Sequence, residues 1–154
     1  MFTGTAANAL GLSQVCQPFH GVICHEHAHI QTDEAGATEF YTRGARLFLT
    51  KTSNGKVDLG EVEDLVAQQV ELHGHMMRAI SIAQATELGT VYTRDAVAAL
   101  GGFTRTPPMS LHMDGERFAH AIASSGCAPA AHPRPGRRVV LNFGGPAPAV
   151  AAAV

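Results

Sequence analysis

Five short apolar, β-branched segments punctuate the chain: HGVICH (20–25), ARLFLT (45–50), RAISIAQA (78–85), MSLHMDG (109–115) and VVLNF (139–143). The runs between them carry helical spacing instead. A helix is expected to begin near Thr5 in TGTAANALGLSQV, with a threonine hydroxyl available as its cap. DEAGATEFYT (33–42) reads as a second helix with acidic residues in its first turn. VDLGEVEDLVAQQVEL (57–72) places Val57, Leu59, Val62, Leu65, Val66, Val70 and Leu72 near one face, as an amphipathic helix would. TRDAVAALGGF (93–103) has Thr93 as its cap, and ERFAHAIASSG (116–126) ends at Gly126. Connections of this length exclude hairpins, so the predicted class is α/β: three layers, with a mostly parallel sheet flanked by helices. Ligands of such sheets gather beyond the carboxyl ends of the strands. His29, Glu87 and Asp114 all follow or end a strand there.

At 154 residues the chain has the size of one domain. A net charge of −2 and a charged share of 16% leave no broad footprint for nucleic acid or an anionic membrane, so small molecules or further copies of the chain are the expected partners. Cys16, Cys24 and Cys127 form no CxxC pair and no disulfide framework, which points to a reduced, cytoplasmic setting. The start MFTGTAANALGLSQV has no basic n-region, and no apolar run approaches the ~18 residues of a membrane span. Composition shifts near Ala128, and residues 128–154, rich in Pro and Ala, are expected to form a divergent, poorly ordered tail apart from VVLNF.

The segment CHEHAHIQTDEAG (24–36) is dense in potential ligands. If residues 25–29 are extended, His25, His27 and His29 share one face, and with Glu34 they could bind Zn, Fe or Mn. The spacing from Gly21 through His27, His29 and Glu34 is similar to the first metal motif of cupins, although Tyr41 stands where that motif has glycine. The helical segments downstream argue against an all-β cupin. A metal-binding module remains one of two readings.

The other joins this cluster to the rest of the chain. TGTAANAL (3–10), ICHEHAHIQTDEAGATEF (23–40), ISIAQATELGTVYT (80–93) and SLHMDGERFAHA (110–121) together resemble the low-specificity L-threonine aldolases, in the same order. That resemblance implies a pyridoxal 5'-phosphate enzyme of fold type I, the aspartate-aminotransferase type, with residues 1–127 forming part of its large domain. It implies reversible cleavage of L-threonine or L-allo-threonine to glycine and acetaldehyde, a place in threonine catabolism and glycine formation, and a homotetramer. Gly4 and Thr5 would hold the cofactor phosphate at a helix start. His29 would stack on the pyridine ring, Asp114 would pair with the pyridine nitrogen, and Arg117 would bind carboxylate or cofactor. Glu34 and Glu87 would lie nearby without an assigned role.

The resemblance also implies a lysine for the Schiff base, in a motif like SFGGTKNG. Here the stretch reads LNFGGPAPAV (141–150), and Lys51 and Lys56, the two lysines of the sequence, flank a turn elsewhere. The expectation is therefore a partial or frame-disturbed chain with impaired lyase activity, or an inactive fragment.

Overall fold

A computed structural model of the chain describes residues 3–70, 74–125, 139–142 and 152–153. Its sheet has the order β2-β1-β3-β4-β5-β6, built from β1 (His20–His25), β2 (Arg46–Thr50), β3 (Met76–Ala83), β4 (Ser110–Asp114), β5 (Val139–Asn142) and β6 (Ala152–Ala153). The first five run parallel, and β6 pairs antiparallel with β5. All six residues of β1 and all five of β4 are buried, as expected of strands covered on both faces.

Alternation along the strands separates two apolar layers. Ile23, Phe48, Ile80, Ile82, Leu111 and Met113 face α4 (Leu59–Ala67) and α5 (Arg94–Phe103), which contribute Val62, Leu65, Val97 and Leu100. Val22, Cys24, Leu47 and Ala79 face the other way, onto Leu12 and Cys16 of α1 (Gly4–Ser13) and its following turn, and onto Ile30 of α2 (His29–Thr32). α3 (Ala37–Tyr41) follows on that side, and α6 (Phe118–Ser125) connects β4 to β5. The three-layer α/β class read from the sequence is the observed one.

One local expectation is met and one requires correction. The cap of α1 is Thr3, whose Oγ1 accepts the Ala6 N–H at 3.1 Å; Thr5 lies inside the helix. The helix expected over 33–42 is interrupted, because Ala35 (φ 50) and Gly36 (φ 76) adopt the left-handed conformation that ends one short helix and opens the next. Val139–Asn142 does form a strand, whereas Gly126, Cys127 and most of the expected tail lie outside the described residues. No helix among the described residues is long and apolar enough to cross a membrane.

Candidate functional site

The chain leaves β1 toward β2 on one side and returns to β3 on the other, so the topological switch point lies between β1 and β3. Crossover helices leaving in opposite directions cover opposite faces and open a crevice at the strand ends there. The loops that follow β1 and β3 supply His29 and Glu87, and these meet: the His29 backbone N–H donates to Glu87 Oε1 at 3.1 Å. Gln84 braces the loop after β3, with its amide accepting the Tyr92 N–H at 2.9 Å and donating to the Tyr92 carbonyl at 3.1 Å. Arg117, just beyond β4, completes this rim by donating from Nη2 to Glu87 Oε1 at 2.7 Å and from Nε to the Ala85 carbonyl at 3.1 Å.

A second, deeper set of bonds runs under the rim. Asp114 ends β4; its Oδ1 accepts the Glu116 N–H at 3.1 Å and its Oδ2 accepts Asn8 Nδ2 at 2.9 Å. The same Asn8 nitrogen donates to Glu34 Oε1 at 2.7 Å, and His29 Nδ1 lies 3.3 Å from that oxygen. Asn8 is wholly buried, and Glu34 and Asp114 are 4% and 6% exposed. Burial pushes the Glu34 carboxyl above the ordinary carboxylate range, while its bonds to Asn8 and His29 pull the other way. Asp114, by contrast, is held by neutral donors, and no ion pair reaches it among the described residues.

One layer below, His112 lies fully buried on the same face of β4, with Nδ1 2.8 Å from Ser81 Oγ of β3. Burial drives its imidazole down to about 4, so it is neutral under ordinary conditions, against the opposing pull of Asp114.

The structure thus brings together four of the residues singled out from the sequence, His29, Asp114, Glu34 and Arg117, with Glu87 between the first and the last. Gly4 lies nearby: a Cβ placed on it would come within 3.1 Å of the Glu116 carboxylate, in the turn after Asp114. Thr5, half-buried in α1, makes no hydrogen bond to this network. Asn8, which joins the two buried carboxylates, was missed by the sequence reading. Its one signal was a polar amide in the run AANAL, where an asparagine is a poor helix former.

The three histidines do not converge. The chain stops being extended at His25, whose Nε2 lies 2.9 Å from the Thr52 carbonyl oxygen and 3.1 Å from the Thr52 nitrogen and whose Nδ1 accepts the His27 N–H at 3.2 Å. His29 is already the first residue of α2 and turns to Glu34. Among the described residues no group of three or more His, Cys, Asp and Glu is placed to hold a metal ion. The shared face required by a cupin-like module depends on an extended backbone through residue 29, and that backbone is absent.

Comparison with known proteins bears on the fold and the family. The chain is 42% identical over 144 residues to the low specificity L-threonine aldolase of Pseudomonas aeruginosa, an alignment covering 94% of this chain and 42% of that protein. It superposes on the threonine aldolase of Leishmania major with a TM-score of 0.79 at 23% identity, covering 92% of this chain and 41% of that one. A PLP-bound C–S lyase of Staphylococcus hominis shares the fold more distantly, with a TM-score of 0.52 at 12% identity over 73% of this chain and 28% of that one. The chain therefore spans less than half the length of these proteins. A sequence profile of the family described as beta-eliminating lyase matches residues 1–135, and the chain belongs to that family.

Proposed function

We propose that residues 1–127 form the pyridoxal-phosphate-binding part of a threonine aldolase, acting on an amino-acid substrate such as L-threonine or L-allo-threonine. The observation that carries this reading is Asp114. A buried carboxylate at the end of a central parallel strand, held by two neutral donors and by no cation among the described residues, suits a protonated pyridine nitrogen as its partner. The other residues fit the same group. His29 offers a flat ring, 28% exposed, at the switch point, and the start of α1 with Gly4 and the Thr5 hydroxyl lies beside the turn after Asp114, suited to a phosphate. Glu116 is exposed and has to turn outward there, because two anions repel.

When bound, pyridoxal phosphate supplies an electron sink for the carbanion left as the Cα–Cβ bond breaks. The residues of this chain orient and hold. Asp114 keeps a proton on the ring nitrogen, His29 sets the tilt of the ring, and Arg117, already fixed at two of its five donors, presents the rest to a carboxylate. Lys51 pairs with Glu26 at 3.6 Å and Lys56 stands over the Tyr92 ring at 5.7 Å, so neither is part of the site. LNFGGPAPAV (141–150) contains no lysine, and its residues 143–150 lie outside the described residues. With no lysine at the site in this sequence, these residues would hold the cofactor without a covalent link, and the chain by itself would turn over slowly.

Equilibrium dialysis with pyridoxal phosphate tests this. Saturable binding of one cofactor per chain is expected, with no lysine adduct after borohydride and negligible glycine from threonine. Absence of saturable binding, or a reducible lysine adduct with robust turnover, contradicts it.

A further inference from the structure

A cavity of about 220 Å³ opens between the loop from β2 to α4 and the helix α5, and none of His29, Glu87, Asp114 or Arg117 lines it. Val57, Leu59, Ala96 and Leu100 give it apolar walls. The polar groups on those walls are mostly donors without an acceptor. Tyr92 is 3% exposed, and its hydroxyl accepts the Val57 N–H at 2.6 Å; among the described residues nothing accepts its own proton. Burial raises this phenol well above its ordinary range, so the proton stays on. Lys56 Nζ stands over the Tyr92 ring at 5.7 Å, and among the described residues no carboxylate pairs with it. Asn54 spends Oδ1 on the Lys56 N–H and the Thr52 hydroxyl, both at 3.0 Å, which leaves its amide nitrogen. The acid on the wall, Asp58, is engaged otherwise: its Oδ1 accepts the Gly60 and Glu61 N–H groups at 2.9 and 3.4 Å, where the start of α4 offsets its charge.

We propose that this cavity binds a short-chain aliphatic monocarboxylate, with the carboxylate among Lys56, Asn54 and the Tyr92 hydroxyl and the tail against Leu59, Ala96 and Leu100. A buried donor with nothing to donate to is costly, and an anion satisfies it together with the unpaired ammonium. The ring under Lys56 holds that ammonium near the mouth before any ligand arrives. The apolar walls ask for a tail, and the volume keeps the tail short, since pockets for drug-sized ligands run to ~300–1,000 Å³. An alcohol or an amine with the same tail meets the same walls without supplying the anion, so charge is what selects the ligand.

Proton–nitrogen correlation NMR of the 15N-labelled full chain, titrated with sodium hexanoate, tests this. Saturable shifts are expected at the Lys56, Val57, Tyr92 and Leu100 amides, with a dissociation constant on the order of 1 mM for a ligand of this size. Hexan-1-ol and hexylamine are expected to bind at least about tenfold more weakly. Lys56→Met keeps most of the aliphatic stem and removes the charge, and is expected to bring hexanoate down to the affinity of hexan-1-ol. Ala99→Phe, at an exposed position on the α5 wall, is expected to abolish saturation by filling the cavity. Shifts that stay linear or that saturate elsewhere on the chain, hexylamine binding as tightly as hexanoate, or a hexanoate affinity unchanged in Lys56→Met each overturn the assignment; if a variant fails to fold, the three probes on the wild type decide. The cofactor residues do not border the cavity, so pyridoxal phosphate binding is read separately and neither result stands in for the other.

Discussion

One amide nitrogen, on Asn8, holds two buried carboxylates apart and in place. Replacing Asn8 by alanine leaves Asp114 Oδ2 without its donor and Glu34 Oε1 with His29 alone, and an unsatisfied buried group costs about 1–3 kcal/mol. Thermal unfolding of Asn8→Ala is therefore expected to show a lowered midpoint together with weakened pyridoxal phosphate binding; an unchanged midpoint contradicts the bridge. Burial acts similarly on Cys16 and Cys24, whose thiols are pushed from 9.0 up to about 12. The folded state keeps these protons longer than the unfolded one, so their contribution to stability is complete below pH 9.0 and is lost as pH rises from there toward about 12. His112 has the opposite sign: held down to about 4 from 6.5, it contributes stability above 6.5 that is lost as pH falls toward 4, with a slope of up to about 1.4 kcal/mol per pH unit. Denaturant midpoints measured across pH are expected to fall at both ends. At this scale the sequence was partly legible. His29 and Asp114 stood out because chemistry-bearing residues at strand ends are conspicuous, whereas Asn8 and Ser81 act only through partners that are distant in sequence.

The strands were the most legible elements, since a buried parallel strand writes itself as an unbroken apolar run, and β1 matches HGVICH residue for residue. The region from 33 to 42 misled because its composition is helical throughout, and no propensity reveals that Ala35 is left-handed. A close approach in β1 was equally hidden. A Cβ on Gly21 would lie 2.6 Å from Met77 Sδ and 2.8 Å from Phe48 Cε2, so Gly21→Ala must displace two core side chains. The expected loss is about 1–3 kcal/mol, read from denaturant unfolding; a neutral substitution would show that the layer between β1 and α4 is loose. Thr3→Ala removes the cap of α1 and is expected to cost about 1 kcal/mol in the same assay.

For the molecule as a whole, five parallel strands and two apolar layers place every candidate residue at one end of the sheet. That end is where α/β sheets bind ligands, and it follows from the order of strands and helices that the sequence already displays. What the order cannot convey is which side chains converge, because convergence depends on where each loop turns; the bend at His25 removed a plausible metal site and built the His29–Glu34 pair instead. The central claim is that Asp114 pairs with the protonated ring nitrogen of a non-covalently held cofactor. It is tested most directly by the affinity of pyridoxal phosphate for the wild type and for Asp114→Asn, both shown to unfold cooperatively. Loss of a charge-assisted hydrogen bond, about 1.5–3 kcal/mol, predicts roughly ten- to a hundredfold weaker binding in the variant; equal affinity in the two would contradict the claim.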